Sequence, residues 1–285
     1  MLTDDDWGFA NSTGLGFTHP VIVDAHFQAC EASYLRLLRR VGIEMGWRVL
    51  DAGCGSGEFL PALAALVGPA GRVHGIDLAA ENAELAGRRL PAHPALRAAD
   101  VRQGDLLDLP YPDDSFDAMW CANTVQYLDD RSLYRALAEA RRVVRPGGIV
   151  AVKDLDGHRV TARPAASGLF EAFFRTAARH SGYVSRLLRT ADLDHYLRQA
   201  GLLQVRRETV LIEHFAPLAE PAQRFYKAAC ARLAAQARTL GVGDGWEPFL
   251  DPGAVDHPLD RPEGYIAEGN VLAVGVVPPD SREHR

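Results

Sequence analysis

The chain has 285 residues, 47% of them hydrophobic, with 31 basic and 37 acidic side chains and a formal net charge of −6. That is enough apolar material for a full core, and the acidic balance makes the chain a poor candidate for binding a phosphate backbone, which needs a basic face. Cys30, Cys54, Cys121 and Cys230 stand far apart with no CxxC pair, which leaves no disulfide framework or cysteine metal site legible and makes a reducing cytoplasm the expected compartment.

The Asp4-Asp5-Asp6 start lacks the apolar h-region of a secretory leader, and no apolar run approaches the length of a membrane span. Residues 1–18 set Trp7, Phe9 and Phe17 among glycines and small polar residues. Such an arm either closes over a ligand or docks on the body. Pro20 leads an amphipathic helix to about Arg40, with Ile22, Phe27, Tyr34, Leu35 and Leu38 at roughly helical spacing.

From Trp47 strand and helix alternate. The pattern predicts strands at Arg48–Asp51, Arg72–Asp77, Val101–Gly104, Phe116–Cys121 and Ile149–Lys153. Helices are expected at Glu58–Val67, Ala80–Leu90 and Ser132–Val144, the last with Ser132 as N-cap. Regularity breaks at 157–190, where Phe170, Phe173 and Phe174 cluster and Tyr183, Leu187 and Leu188 follow within a helical pair, and again at 217–262, which holds a helix over Ala222–Leu240 and a loop rich in Gly and Pro around Trp246. Between the breaks lie a helix at Asp192–Ala200 and a strand at Leu203–His214, and Tyr265–Val277 supplies a last strand. The expected fold class is α/β, a doubly wound, mainly parallel seven-stranded sheet. One domain over 1–285 accounts for it: an arm and helix at 1–40, a core at 41–156, and lid-like insertions at 157–190 and 217–262.

The segment Val49-Leu50-Asp51-Ala52-Gly53-Cys54-Gly55-Ser56-Gly57-Glu58-Phe59 is a strand, a tight turn and a helix start. Its turn lacks bulky side chains, so a ligand can lie against bare N–H groups. The dinucleotide fingerprint needs a small sixth residue counted from Gly53; Glu58 stands there, which argues against a nicotinamide or flavin enzyme. Asp77 ends the second strand beside this loop, where a carboxylate can accept from both hydroxyls of a ribose.

The loop resembles the cofactor loop of class I S-adenosylmethionine-dependent methyltransferases, and four further segments agree in order: Asp77, Gly104-Asp105-Leu106-Leu107-Asp108-Leu109-Pro110-Tyr111, Ser115-Phe116-Asp117-Ala118-Met119-Trp120-Cys121, and Arg145-Pro146-Gly147-Gly148. The resemblance covers about residues 40–155 and is to the small-molecule branch that includes the quinone-pathway enzymes. It implies the Rossmann-like methyltransferase fold and S-adenosylmethionine as cofactor, held by Asp51, Gly53, Cys54 and Gly55 of the loop, by Asp77 on the ribose and Leu78 against the adenine, by the Asp105 side chain and Leu106 N–H at the ring edge, and by backbone carbonyls of Cys121 and Ala122 at the ammonium. Asp117 is expected to be structural. Where these relatives often carry His-His, the chain has Gln126-Tyr127, and it lacks the (N/D)-P-P-(Y/F) tetrapeptide of nucleobase-amine and glutamine-amide enzymes.

A sulfonium methyl is already activated, so a base is needed only when the nucleophile must lose a proton. The candidates are His26 on the N-terminal helix, Tyr127, and His158 beyond the fifth strand, with His214, Asp154 and Asp156 as further options. No metal-ligand set is legible around Asp154 and Asp156. Phe9, Phe17, Gln126, Asp154 and Phe174 are the candidate acceptor contacts, with Trp7, Phe170, Phe173 and Trp246 adding apolar surface or ordinary helix packing. The expected partner is a small-molecule acceptor, with no nucleic acid or membrane and with a homodimer as the candidate assembly; a specialised-metabolite pathway is the expected setting. A cyclisation or rearrangement with the cofactor pocket retained is the alternative chemistry, and a non-catalytic partner subunit a third.

Overall fold

The structure, a computed structural model, describes residues 20–92, 96 and 99–279 and the backbone of a two-stranded antiparallel pair, Phe9–Ala10 with Gly16–Phe17. Trp7 and the side chains of Phe9 and Phe17 lie outside the described residues. Seven strands form one sheet: β1 (Arg48–Ala52), β2 (Arg72–Asp77), β3 (Ala99–Gln103), β4 (Phe116–Ala122), β5 (Val144–Arg163), β6 (Leu203–Phe215) and β7 (Tyr265–Val276), in the order β3-β2-β1-β4-β5-β7-β6. Around them run α1 (Pro20–Arg39), α2 (Leu60–Val67), α3 (Ala80–Arg89), α4 (Asp130–Val143), α5 (Leu169–Ala177), α6 (Gly182–Arg189), α7 (Leu193–Gln199) and α8 (Glu220–Leu240).

The sheet is mainly parallel, as expected, but mixed. β1 to β5 pair in parallel, but β7 runs antiparallel to both β5 and β6. The reason is topological. β6 and β7 are the two arms of one long hairpin, paired from Leu203↔Val276 to Phe215↔Tyr265 with a register shift between Leu203 and Arg206, and its closing loop carries α8.

The fifth strand also runs ten residues beyond its predicted end, so that Arg163 pairs with Tyr265. Residues 157–163 are therefore strand, not lid. The extension has a functional consequence: the α5–α6 segment and the α8 loop leave the sheet at the same end, beyond the carboxyl ends of β1 and β4, where open α/β sheets bind ligands.

Side-chain alternation along the strands builds two cores. In β4, Ala118, Trp120 and Ala122 face the layer of α1, α2, α5, α6 and α8, whereas Met119 and Cys121 face α4 and α7. The α4 cap is corrected too: Asp129, not Ser132, is the N-cap, its carboxylate accepting from the Ser132 N–H at 2.7 Å. Asp117 accepts from the Arg48 N–H at 2.7 Å and from Arg145 at 2.6 Å, a structural pairing at the base of the sheet.

Candidate active site

The glycine loop leaves β1 with Gly53, Gly55 and Gly57 at φ +77, +54 and +89, the left-handed region that side chains disfavour. At Gly53 space forbids a side chain as well: a Cβ would lie 2.4 Å from Thr124 Oγ1. The loop hangs from β2, with the N–H groups of Gly53 and Cys54 both donating to the Ile76 carbonyl at 2.8 and 2.9 Å. Asp77 completes the anchor. Its carboxylate accepts from Gly55 N–H at 2.8 Å, Ala79 N–H at 3.0 Å and Asn82 Nδ2 at 3.1 Å. Burial pushes the Asp77 carboxyl up, and these donors offset the rise only in part.

Eight of the sequence-derived cofactor residues, Gly53, Cys54, Gly55, Asp77, Leu78, Asp105, Leu106 and Ala122, line one cavity of about 160 Å³. Asp51 and Cys121 do not reach its wall. Asp51 is buried beneath the loop, and among the described residues its Oδ2 has no partner. Burial, with the Asp77 charge adding to it, pushes its carboxyl up to about 8. An orphaned buried acceptor under a bare-backbone turn suits a ligand that brings positive charge, and S-adenosylmethionine carries both an ammonium and a sulfonium. The residues present fit that cofactor. Asp105 also has a local role, since its Oδ1 accepts from the Leu107 N–H at 2.8 Å.

A second cavity, of about 480 Å³, adjoins the first, and Val23, Asn123 and Tyr127 line both. Its walls are mostly apolar and aromatic, with Phe170, Phe174, Tyr183, Leu187 and Phe225 from the two insertions. Its polar side holds His26, Gln126, Tyr127, Arg232 and Glu268. The structure thus brings His26, Tyr127, Gln126 and Phe174 together. His158 and Asp154 are not brought there. His158 sits on the far stretch of β5, half-exposed, its ring 3.0 Å from Asp156. Asp154 is fully buried, accepts from the Gln126 N–H at 3.1 Å and lines neither cavity; burial pushes its carboxyl up to about 7. Asp156 is occupied by His158 and Arg159. Phe173 and Trp246 are core residues packed on each other, ring centroids 5.6 Å apart, while Phe170 and Phe174 reach the cavity.

Glu268 is the residue that sequence reasoning missed. It lies fully buried on β7, with both carboxylate oxygens 3.0 and 2.9 Å from His26 Nε2. Asn270 donates to it at 2.9 Å, and Tyr34 and Cys30 of α1 approach within 3.4 and 3.7 Å. Burial alone would raise the Glu268 carboxyl, but His26, Asn270 and Lys153 outweigh it and hold it down at about 2. Lys153, also fully buried, donates to Asn123 Oδ1 at 2.6 Å and lies 3.4 Å from the Tyr34 ring centre. Burial pulls its ammonium down to about 8 despite Glu268 nearby. A usable signal existed: Glu268-Gly269-Asn270 interrupts an otherwise apolar strand that is buried on both faces, and Lys153 ends the apolar run Ile149–Val152.

At the rim of the first cavity, α1 is tied to the glycine loop. Asp24 accepts from Ser56 Oγ at 2.7 Å and from Arg89 at 2.7 Å, and Arg89 also pairs with Glu58 and donates to the Ser56 carbonyl at 3.1 Å.

A parallel-stranded half with a glycine loop, an acid at the end of β2 and a cavity between them defines the class of nucleoside-cofactor α/β enzymes. Comparison with known proteins narrows this. Residues 49–148 match the family described as a methyltransferase domain, and the chain is similar to named methyltransferases over that part and beyond it. The 27-O-demethylrifamycin SV methyltransferase of Amycolatopsis mediterranei is 32% identical over 170 residues, 59% of this chain and 58% of that protein. The 2-phytyl-1,4-naphtoquinone methyltransferase of Synechococcus elongatus is 36% identical over 129 residues, 44% of this chain and 54% of that protein. The chain thus spans somewhat over half the length of these curated relatives. Among solved structures, the [4+2]-cyclase SpnF shares the fold with a TM-score of 0.52 and 21% identity, over 89% of this chain and 83% of that one. No helix among the described residues is long and apolar enough to cross a membrane.

Proposed function

We propose that the chain transfers the methyl group of S-adenosylmethionine to a nucleophile on a small, largely apolar metabolite held in the 480 Å³ cavity. The observation that carries this is the adjacency of the two cavities: the one lined by the glycine loop, Asp77 and Asp105 shares Val23, Asn123 and Tyr127 with one walled by aromatic side chains. When bound, the cofactor supplies an activated methyl. The chain's own part is to hold the acceptor in line at that junction and to exclude water from it. Relatives named for a rifamycin and a naphtoquinone act on bulky, mostly apolar molecules, which supports a specialised or quinone-like metabolite as the acceptor class.

Two measurements test the reading. Calorimetry should find one S-adenosylmethionine site per chain, lost in Asp77→Ala, because the variant removes the acceptor for Gly55, Ala79 and Asn82 together. Incubation with labelled cofactor and a panel of apolar hydroxylated, aminated and enolic compounds should release S-adenosylhomocysteine. Cofactor binding with an acceptor consumed and no S-adenosylhomocysteine formed would instead support the cyclisation chemistry for which SpnF, on the same fold, is named.

A further inference from the structure

Resting on the methyl-transfer reading, we infer that His26, oriented by Glu268, is the general base of the reaction, and that the acceptor therefore presents a phenolic or enolic hydroxyl on an apolar body. Neither residue lies in the part of the chain that carries the family motifs. α1 supplies one and β7 the other, 242 positions apart.

The geometry is that of a base with its orienting carboxylate. Both Glu268 oxygens address the same ring nitrogen, so Nε2 carries the proton and donates it to the carboxylate. The lone pair is then on Nδ1, which has no hydrogen-bond partner among the described residues, on a side chain that lines the acceptor cavity. The ring plane is fixed by Phe225, stacked on it at 3.9 Å between centroids and 7° from parallel. One turn earlier on the same helix, Val23 lines both cavities, which sets His26 beside the junction where transfer takes place.

The surroundings suit this role better than the alternatives. Facing the pair are Cys30 and Tyr34 of α1, Lys153 of β5, His214 of β6, Tyr226 of α8 and Asn270 of β7. The donor atoms of His26, Cys30 and Glu268 lie within 4.8 Å of one another, a spacing that could suit a cation. Burial, however, pushes the Cys30 thiol up, so it stays protonated, and the positive charge beside Glu268 is already provided by Lys153. An amine acceptor attacks through a lone pair it already has and needs no base. A hydroxyl does need one.

The step balances. As the acceptor oxygen bonds to the methyl carbon, the bond from that carbon to sulfur breaks and its electron pair stays on sulfur. The hydroxyl proton passes to His26 Nδ1. The products are a methyl ether, S-adenosylhomocysteine and an imidazolium next to the Glu268 carboxylate. The positive charge lost from sulfur thus reappears on a ring already paired with a fixed anion, which lowers the cost of the transfer in a dry site.

The test uses the whole chain with two probes of matched shape, 7-hydroxycoumarin and 7-aminocoumarin. With S-adenosylhomocysteine bound, 7-hydroxycoumarin should show its phenolate absorbance at a pH about one unit or more below that of the free probe, a shift of roughly tenfold in ionisation. His26→Asn should abolish the shift, and Glu268→Gln should reduce it, while S-adenosylhomocysteine affinity by calorimetry stays within about twofold. With labelled S-adenosylmethionine the wild type should methylate the hydroxyl probe, and His26→Asn should lose about 10²-fold in that rate, with a pH profile that no longer falls on the acid side, while the rate on the amine should be the same in both proteins. An equal loss of hydroxyl and amine methylation in His26→Asn, no binding of the hydroxyl probe, an unshifted phenolate in the wild type, or stoichiometric zinc uptake that needs Cys30 would each overturn the inference. The coumarin comparison in wild type needs no variant to fold. Absence of S-adenosylmethionine binding would instead sink the methyl-transfer reading beneath it.

Discussion

The two adjoining cavities of the candidate site are built in opposite ways. The first is made mainly from short motifs at the ends of successive strands, namely the turn after β1, the last residue of β2 and the turns after β3 and β4, with Val23 and Phe27 of α1 beside them. The second draws on α1, the ends of β4 and β7, α5, α6 and α8, so that His26, Asn123, Phe174, Phe225 and Glu268 meet only because the sheet order puts β7 between β5 and β6. The difference teaches that a shared cofactor can be read by a local code, whereas an acceptor site is written by topology. It also says where substitutions should act: on cofactor affinity in the first region, and on folding and acceptor chemistry in the second.

The largest expected effect breaks the second region without touching the first. Phe173 is fully buried and packed against Trp246 and Phe174. Phe173→Ala should cost about 3–5 kcal/mol of stability, as large-to-small changes in cores do. Chemical denaturation measures it. Below the melting transition, S-adenosylmethionine affinity should stay within about twofold of wild type. A tenfold loss of affinity would show that the two regions are one cooperative body and would undo the contrast.

Next in size is the pH dependence that two buried carboxyls impose. Asp51 is pushed up to about 8 and Asp154 up to about 7, both chiefly by burial. Between the ordinary carboxylate range and those values the folded chain binds more protons than the unfolded one. Their contribution to stability is therefore fully present at acid pH and is lost as pH rises through about 7 to 8, at a rate of at most about 1.4 kcal/mol per pH unit for each group. Urea midpoints measured without cofactor should fall from pH 5 to pH 8, and Asp51→Asn should flatten that slope. Saturating S-adenosylmethionine should flatten it also, if its positive charge meets Asp51. A slope that is the same with and without cofactor would remove Asp51 from the cofactor site.

A third substitution sharpens the first region alone. Gly53→Ala places a Cβ 2.4 Å from Thr124 and imposes a left-handed φ on a residue with a side chain. The strain costs about 1–2 kcal/mol before the clash is counted, so cofactor affinity should drop by about tenfold or more. Gly55→Ala, at φ +54 with nothing within 4 Å of its Cβ, should lose less. Calorimetry on the pair reads the difference, and equal losses would mean that strain rather than the Thr124 contact sets the effect.

The same contrast explains how far the sequence could be read. Alternating apolar runs with turn residues between them placed all seven strands, because each strand carries its own period and its own stop. The direction of β7 was not legible, since a strand reads alike in either sense and only the pairing of Phe215 with Tyr265 reveals the hairpin. The length of β5 was hidden for a related reason. Asp154, Asp156 and His158 look like a loop, yet they continue the strand because β7 supplies a ladder beyond Lys153. His26 could be nominated from its helix, but its partner could not, since nothing local links position 26 to position 268. His158, equally a histidine near a strand edge, is carried away from the cavity by the same strand extension.

The smallest effect probes the polar contacts that tie α1 to the glycine loop near the rim. Asp24 on α1 holds Ser56 of the glycine loop and Arg89 of α3, and two turns of the same helix carry Val23, His26 and Phe27 to the cavities. Arg89 and Asp24 are partly exposed, so Asp24→Asn should cost only about 0.2–1 kcal/mol of stability. What the contact does for binding is separate from that cost. If Asp24 sets the seat of α1 over the loop, Asp24→Asn should weaken S-adenosylmethionine binding by about threefold and weaken 7-hydroxycoumarin binding to the cofactor-loaded chain in step, because one helix forms a wall of both cavities. A change in cofactor affinity alone would mean that Asp24 acts on Ser56 and not on the helix, and the two regions would then be independent at their rim as well as in their construction.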